Sequence, residues 1–362
     1  MNLTPPAIQA APRTLQRSQF QGRVNGLATD LHTLKNASGA TVSVCNYGAR
    51  IVQIVMPNAR GDRGDVALGF NDLAGLLRPS PQGVPSMGAF IGRYANRIGL
   101  AQLPLNGQLY SLAPNSGGHS LHGGPGGSRY QVFSAQQLSA TQLELRHQFT
   151  PANDGFPGTL ALTLTYTLSE SNALSIAWLA QAIDAPTVAS FTSHVFFNLC
   201  GAGSVNDHTL QLHASRFLPL NAQGLPTGDL RSTCGTPFDC ASPTRLAHGL
   251  SGSGSIHPQI ALCGGYDHHW AIDAWDGSLK TIGRVSEPSS GRTLEIFSTE
   301  PGVQVFTANG LDAAHCGFAK HSGLCVEPSY FPDSPKHAHF PSTQLAAGQS
   351  RAGQVVYAFG AV

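Results

Sequence analysis

The sequence predicts an all-β protein, with antiparallel strands packed as a large sandwich or closed as a barrel and only a few short helices. Three observations carry this prediction. Apolar residues recur with a period of two in many short runs. Those runs are bounded by Gly, Asn, Asp, Ser or Pro. The 362-residue chain also holds 41 Gly and 24 Pro but only 11% charged residues, against about 25% in an average soluble protein. Alternation puts one side of a strand into a core and the other toward polar surroundings, and frequent turn residues cut the chain into short antiparallel segments.

Taken in chain order, "DLAGLL" (72–77) is one of the few pieces that reads as helical, while "LELRHQFT" (143–150) begins a series of strands. "TLALTLTYTLSE" (159–170) places Leu160, Leu162, Leu164, Tyr166 and Leu168 on one face and threonines on the other. "ALSIAWLAQA" (173–182), "TLEIFSTE" (293–300) and "VQVFTAN" (303–309) repeat the habit. There is no internal repeat, coiled coil or low-complexity linker, so residues 21–362 read as one large β domain, a size that sandwiches and barrels commonly reach. Residues 1–20 read as a polar, Pro-bearing arm whose order the sequence leaves open.

Composition excludes several function classes. The formal net charge is +1 and no Lys/Arg cluster exceeds two residues, so neither nucleic acid nor an anionic membrane is an expected partner. No apolar run approaches the ~20 residues of a membrane-spanning helix. The N-terminus lacks the basic start and apolar stretch of a signal peptide. Seven cysteines, odd in number and without CxxC spacing, point to free thiols in a reducing compartment, the cytoplasm by default. The chain has no GxxxxGK[ST], GxGxxG between strand and helix, GxSxG or HExxH, so nucleotide chemistry and an esterase-type nucleophile are not expected.

The residues that can do chemistry stand in a few places. In "GLCVEPSYFPDSPKH" (323–337), Glu327 follows an apolar run and precedes a Pro-rich loop. It either points to solvent from the polar face of a strand or is a buried carboxylate, which costs several kcal/mol unless it is paired or its pKa moves. His194, in "SFTSHVFFNL", is either a core histidine or an imidazole whose charged form its aromatic neighbours disfavour. His122, in "HSLHGGPGGSRY", either caps a turn or lies where glycines let the backbone approach a ligand. His337 and His339 form HxH without a third ligand at metal spacing, so no metal is expected. The adjacent His268 and His269 would point to opposite faces of a strand.

Nine collinear stretches together resemble the aldose 1-epimerase (galactose mutarotase) family: "NYGARIVQIVMPN", "VALGFNDLAGLL", "GAFIGRYANRI", "HSLHGGPGG", "TSHVFFNL", "RFLPLNAQGLPTGDL", "GGYDHHWAID", "SGRTLEIFSTEPGVQVFTAN" and "HSGLCVEPSYFPDSP". They run in order from residue 46 to residue 335, so the resemblance extends over nearly the whole chain. The resemblance implies a large twisted antiparallel β-sandwich, the galactose mutarotase-like supersandwich, with a free aldose in an open cleft. It implies interconversion of the α and β anomers of sugars such as galactose and glucose, with no cofactor, in a monomer or homodimer. Carried over by position, Glu327 corresponds to the family's catalytic base and His194 to its general acid. Asn96, Arg97, His122, Asp267 and Gln304 correspond to groups that hold the sugar.

The chain departs from the family's common pattern at Ser193, Pro328, Ser329 and His269, close to the acid and the base. Three other readings compete with the mutarotase. A hexose-phosphate epimerase would need cations at the cleft mouth, for which only Arg97 and Arg93 offer themselves. A carbohydrate-binding module would not need Glu327 and His194 together. A glycoside hydrolase would need a second carboxylate, with Asp267 the one placed for it.

Overall fold

Alternating burial builds the largest sheet. In the computed structural model, which describes residues 11–80, 83–250 and 256–362, the strand Leu160–Leu168 buries every second residue and pairs with Gln142–Phe149 and Ala173–Ala182. The sheet has nine antiparallel strands. Its order runs Ser134–Ser139, Gln142–Phe149, Leu160–Leu168, Ala173–Ala182, Ser350–Ala361, Arg292–Ser298, Lys280–Ser286, Thr209–Leu212, Thr244–Arg245. The C-terminal strand thus lies in the middle and joins two halves that are far apart in sequence.

A four-stranded sheet (Leu31–Lys35, Thr41–Cys45, Arg50–Pro57, Arg63–Asp65) and a five-stranded sheet complete the sandwich. The five-stranded sheet runs Arg231–Ser232, Arg216–Leu218, Asp267–Ala271, Gly302–Phe306, Cys325–Ser329. One apolar core is shared by all three: Leu162 and Tyr357 from the large sheet, Val42 and Ile51 from the second, and Trp270, Val303 and Val326 from the third. Burying such side chains stabilises the fold by about 1.5–3 kcal/mol each. The Tyr357 hydroxyl donates to the Val326 carbonyl at 2.9 Å, which ties the large sheet to the strand bearing Glu327. Pro328 removes a backbone donor from that strand, which is tolerated because the strand is the last of its sheet.

Helices are short, as the sequence predicts. Asp72 caps Leu73–Leu76 by accepting from the Gly75 N–H at 2.6 Å. Residues 1–10 of the arm lie outside the described residues. Its remainder packs on the domain, with the Arg13 side chain paired to Asp65 at 2.7 Å and Phe20 fully buried. All seven cysteines are free thiols. Among the described residues no helix is long and apolar enough to cross a membrane.

Arg93 takes no place at a cleft mouth. It is fully buried, forms two bonds to the Asp154 carboxylate at 2.7 and 2.9 Å, and donates to Thr187 and two main-chain carbonyls. A guanidinium offers five donors in a planar fork, and here they bind several loops together instead of reaching a ligand.

Candidate active site

One face of the five-stranded sheet forms the floor of a cleft. His269, Gln304 and Glu327 lie directly across from one another in the ladder, as do Asp267, Phe306 and Cys325. Because strand side chains alternate, these six share a face. His268, Trp270, Val303, Val305 and Val326 take the other. His268 lies 4.7 Å from the Phe238 ring, in the core, so the two adjacent histidines do point opposite ways. His269 is buried beside Phe331 on the cleft side, where both ring nitrogens lack a protein hydrogen-bond partner.

The second wall comes from "GRYANRI" and "LHGG", whose short strands Arg97–Ile98 and Ser120–Leu121 pair antiparallel. Asn96 and His122 both have left-handed backbones, φ 62° and 57°, a region that Asn and His enter more readily than most side chains. His122 donates its N–H to the Asn96 carbonyl at 2.9 Å, and the Asn96 N–H donates to His122 Nδ1 at 3.2 Å. The neutral ring therefore carries its proton on Nε2. His122 both accepts from the main chain, as a turn cap would, and lines the cleft.

The glycines of this segment do something other than cradle a ligand. A Cβ on Gly123 would stand 2.4 Å from the Gly92 carbonyl oxygen, on Gly126 2.1 Å from that of Asn153, and on Gly127 2.2 Å from that of His122. They let main chain pack against main chain, and the His122 side chain is what reaches the cleft.

His194 directly follows Thr192–Ser193, which pairs with Phe90–Ile91. Its N–H donates to the Ala89 carbonyl at 2.9 Å and its carbonyl accepts from Gly88 at 2.8 Å. The imidazole stacks on Phe196 (centroids 5.1 Å apart, planes 15°) and meets the His122 ring edge-on at 5.2 Å. Its Nε2 lies 3.6 Å from Glu327 Oε1, and its Nδ1 lies 3.5 Å from Cys325 Sγ.

These groups converge on one cleft of about 420 Å³, lined by Asn96, Arg97, His122, His194, Asp267, Gln304 and Glu327 together. That volume lies within the range of small-molecule sites. Phe196, Phe306, Leu311 and Cys316 add apolar surface to the same cleft. Gln304 donates to Asp267 Oδ1 at 2.7 Å, and its carbonyl oxygen has no protein partner. Arg97 is the sole Arg or Lys among the described residues lining the cleft.

Burial sets the proton chemistry. Glu327 is only 3% exposed, and burial, reinforced by the Asp267 charge, holds its carboxyl well above the usual range. Burial drives His194 down to about 3, helped by the nearby Arg129 and Arg50 guanidiniums. Asp267 is also raised by burial, an effect opposed by Arg97 and the Gln304 hydrogen bond. Arg50 donates to the Met87, Pro85 and Arg129 carbonyls, and Arg129 to Ser86 Oγ and the Leu121 carbonyl. Both cations therefore sit behind the cleft wall without a carboxylate neighbour in these bonds.

His194, Cys325 and Glu327 offer a nitrogen, a sulfur and an oxygen within 4.8 Å of one another. The thiol approaches Nδ1 and the carboxylate Nε2, and the sulfur and a carboxylate oxygen are themselves within 4.8 Å of each other. Among the described residues the group offers three donors, one short of the four of a closed structural zinc site.

Sequence reasoning missed Phe306 and Cys325, although the period-two rule applied outward from Gln304 and Glu327 places both on the cleft face. The Pro-rich loop after Glu327 also holds a structural carboxylate, Asp333. Asp333 donates its N–H to the Arg97 carbonyl at 2.9 Å and accepts from Gly99 N–H at 3.0 Å, pinning the Asn96–Arg97 segment to the loop that follows Glu327.

Comparison with known proteins agrees with this architecture. The family profile described as aldose 1-epimerase matches residues 30–358. Galactose mutarotase of Bos taurus is 35% identical over 315 residues, covering 85% of this chain and 87% of the relative. Aldose 1-epimerase of Escherichia coli K12 is 30% identical, covering 91% and 94%. The crystal structure of an aldose epimerase homologue from C. elegans superposes with a TM-score of 0.83 at 27% identity, covering 92% of this chain and all of the other. A galactose 1-epimerase from Lactobacillus acidophilus shares the fold, with a TM-score of 0.81 at 23% identity over 94% and 97% of the two chains.

Proposed function

This chain belongs to the aldose 1-epimerase family, and from that membership we infer that it interconverts the α and β anomers of free aldoses such as galactose and glucose. The reaction proceeds by general acid–base ring opening and re-closure. Glu327 takes the proton of the anomeric hydroxyl while His194 Nε2 gives a proton to the ring oxygen, and the C1–O5 bond breaks. Rotation about C1–C2 exposes the other face of the aldehyde. Closure returns the ring-oxygen proton to His194 and the Glu327 proton to O1. Protons balance over the cycle, and no cofactor is required.

The single observation that carries this reading is the His194–Glu327 pair, 3.6 Å apart and both nearly buried at the bottom of one cleft. The buried site disfavours a charged carboxylate and a charged imidazolium alike. Ring opening moves the pair from carboxylate and imidazolium to carboxylic acid and imidazole, so desolvation favours the step that breaks C1–O5. General acid–base groups each contribute typically ~10²–10⁴-fold.

Arg97, Asp267, Gln304, Asn96 and His122 fix the pyranose, with His122 donating through Nε2. With Arg97 the sole Arg or Lys among the described residues lining the cleft, the site suits an unphosphorylated sugar better than a hexose phosphate. The free thiols fit a reducing compartment, and we assign the chain to the cytoplasm.

The test is polarimetry on fresh α-D-glucose and α-D-galactose. Acceleration of the approach to equilibrium is expected with at least one, and a failure with both and with other free aldoses would remove this function. Asp267→Asn separates binding from chemistry. Asp267 meets hydroxyls away from C1, which look alike in the ring and in the opening transition state, so the variant raises KM more than it lowers kcat. Hydrogen bonds to a charged group are worth roughly 1.5–3 kcal/mol, so KM is expected to rise about tenfold or more. An unchanged KM with kcat lost as fully as in a Glu327 variant would place Asp267 in the chemistry.

A further inference from the structure

We propose that Cys325 is a positioning residue for His194: its sulfur accepts the Nδ1 proton, leaving Nε2 as the one ring nitrogen that exchanges protons with the sugar. The proposal rests on the reading of His194 as the acid.

The strand Cys325–Ser329 presents a thiol and a carboxylate two residues apart on one face. Side chains at i and i+2 point to the same side of a strand, so both reach one imidazole, and the sulfur and a carboxylate oxygen lie within 4.8 Å of each other. They meet different ring nitrogens, with Cys325 Sγ 3.5 Å from Nδ1 and Glu327 Oε1 3.6 Å from Nε2. Among the described residues Cys325 is the side chain that hydrogen-bonds Nδ1. Phe196 and His122 cage the ring and prevent it from flipping away.

The chemistry of a thiol suits this place better than that of the alternatives. Burial and the charges of Glu327 and Asp267 push Cys325 up, so it stays a neutral S–H whose sulfur is a weak acceptor. A carboxylate on Nδ1 would orient the ring but would also stabilise the imidazolium and hold back the proton that must pass to the ring oxygen. An aliphatic side chain would leave a buried N–H short of a partner. The other charged and titratable groups around the ring, namely His122, Arg129, Arg50 and Glu327, either oppose the imidazolium or meet the Nε2 side.

The experiment reads the His194 tautomer from two-bond 1H–15N correlation spectra of the resting enzyme, beside kcat and KM, for wild type, Cys325→Ala and Cys325→Ser. The expected wild-type ring is Nδ1–H. Cys325→Ala is expected to mix the tautomers and lower kcat about three- to tenfold, the size of one ordinary hydrogen bond, with KM within about twofold. Cys325→Ser should restore the Nδ1–H form and most of kcat.

A wild-type Nε2–H ring overturns the proposal, as does an alanine variant with unchanged tautomer and kcat. If the alanine variant does not fold, the wild-type spectrum decides alone. The tautomer is read without turnover. An Nδ1–H ring in an enzyme whose His194→Asn variant keeps its kcat would therefore sink the acid assignment and leave the thiol contact standing.

Discussion

Glu327→Gln loses turnover by roughly 10²–10⁴-fold while sugar affinity and melting temperature stay close to wild type. The amide keeps the shape and volume of the carboxyl but cannot accept the anomeric proton. Stability is spared because Glu327 is 3% exposed and burial holds its carboxyl well above the usual range. The folded protein thus already tolerates a neutral group there, and a neutral amide introduces no new buried charge. Polarimetric kcat, a binding titration with the preferred sugar and a thermal melt check the three parts. Most of kcat surviving would take the base role away from Glu327, whereas loss of binding along with kcat would make it a sugar-holding group.

His194→Asn lowers kcat by a similar factor, and it also changes the pH profile. The active form carries one proton on the pair, as Glu327 carboxylate and His194 imidazolium. Burial raises the first group and drives the second down to about 3, so the resting pair keeps its proton on Glu327. Both arrangements hold the same number of protons, and their ratio does not change with pH between the two limits. In wild type kcat/KM is therefore flat across the intermediate range. It falls on the alkaline side as pH rises through the raised Glu327 value and the shared proton leaves. It falls on the acid side only when a second proton enters, near the depressed His194 value. In His194→Asn the residual activity needs only the Glu327 carboxylate. It should rise with pH through the Glu327 value in place of falling there. A residual profile with the wild-type shape, or a change confined to KM, would reassign His194 to binding.

Much of this was legible because the relevant geometry is local. Alternation along "TLALTLTYTLSE" is a property of neighbouring residues, and the strand buries every second position as the pattern requires. The same rule places Glu327 and Cys325 on one face and separates His268 from His269. The seven candidate residues rested on resemblance, a whole-chain comparison, and all of them line one cleft. What misled was residue type read without its partners. Arg93 looked available to a ligand, but its charge is taken by Asp154, 61 residues away. The glycines after His122 looked ligand-facing, but they are needed where Gly92 and Asn153 press against them.

By itself, the sequence determined the strand period and which side chains capable of acid–base chemistry the chain offers. These follow from the covalent chain: side chains alternate at every residue, and a histidine or glutamate is what it is wherever it lies. The tertiary structure decided how those groups behave. The Gln304–Glu327 register joins strands 23 residues apart, and the His194–Glu327 approach, with the burial that lifts one group while depressing the other, brings together segments 133 residues apart. A pKa is set by the solvent excluded and the charges within a few ångströms, and neither exists until the sheets have packed.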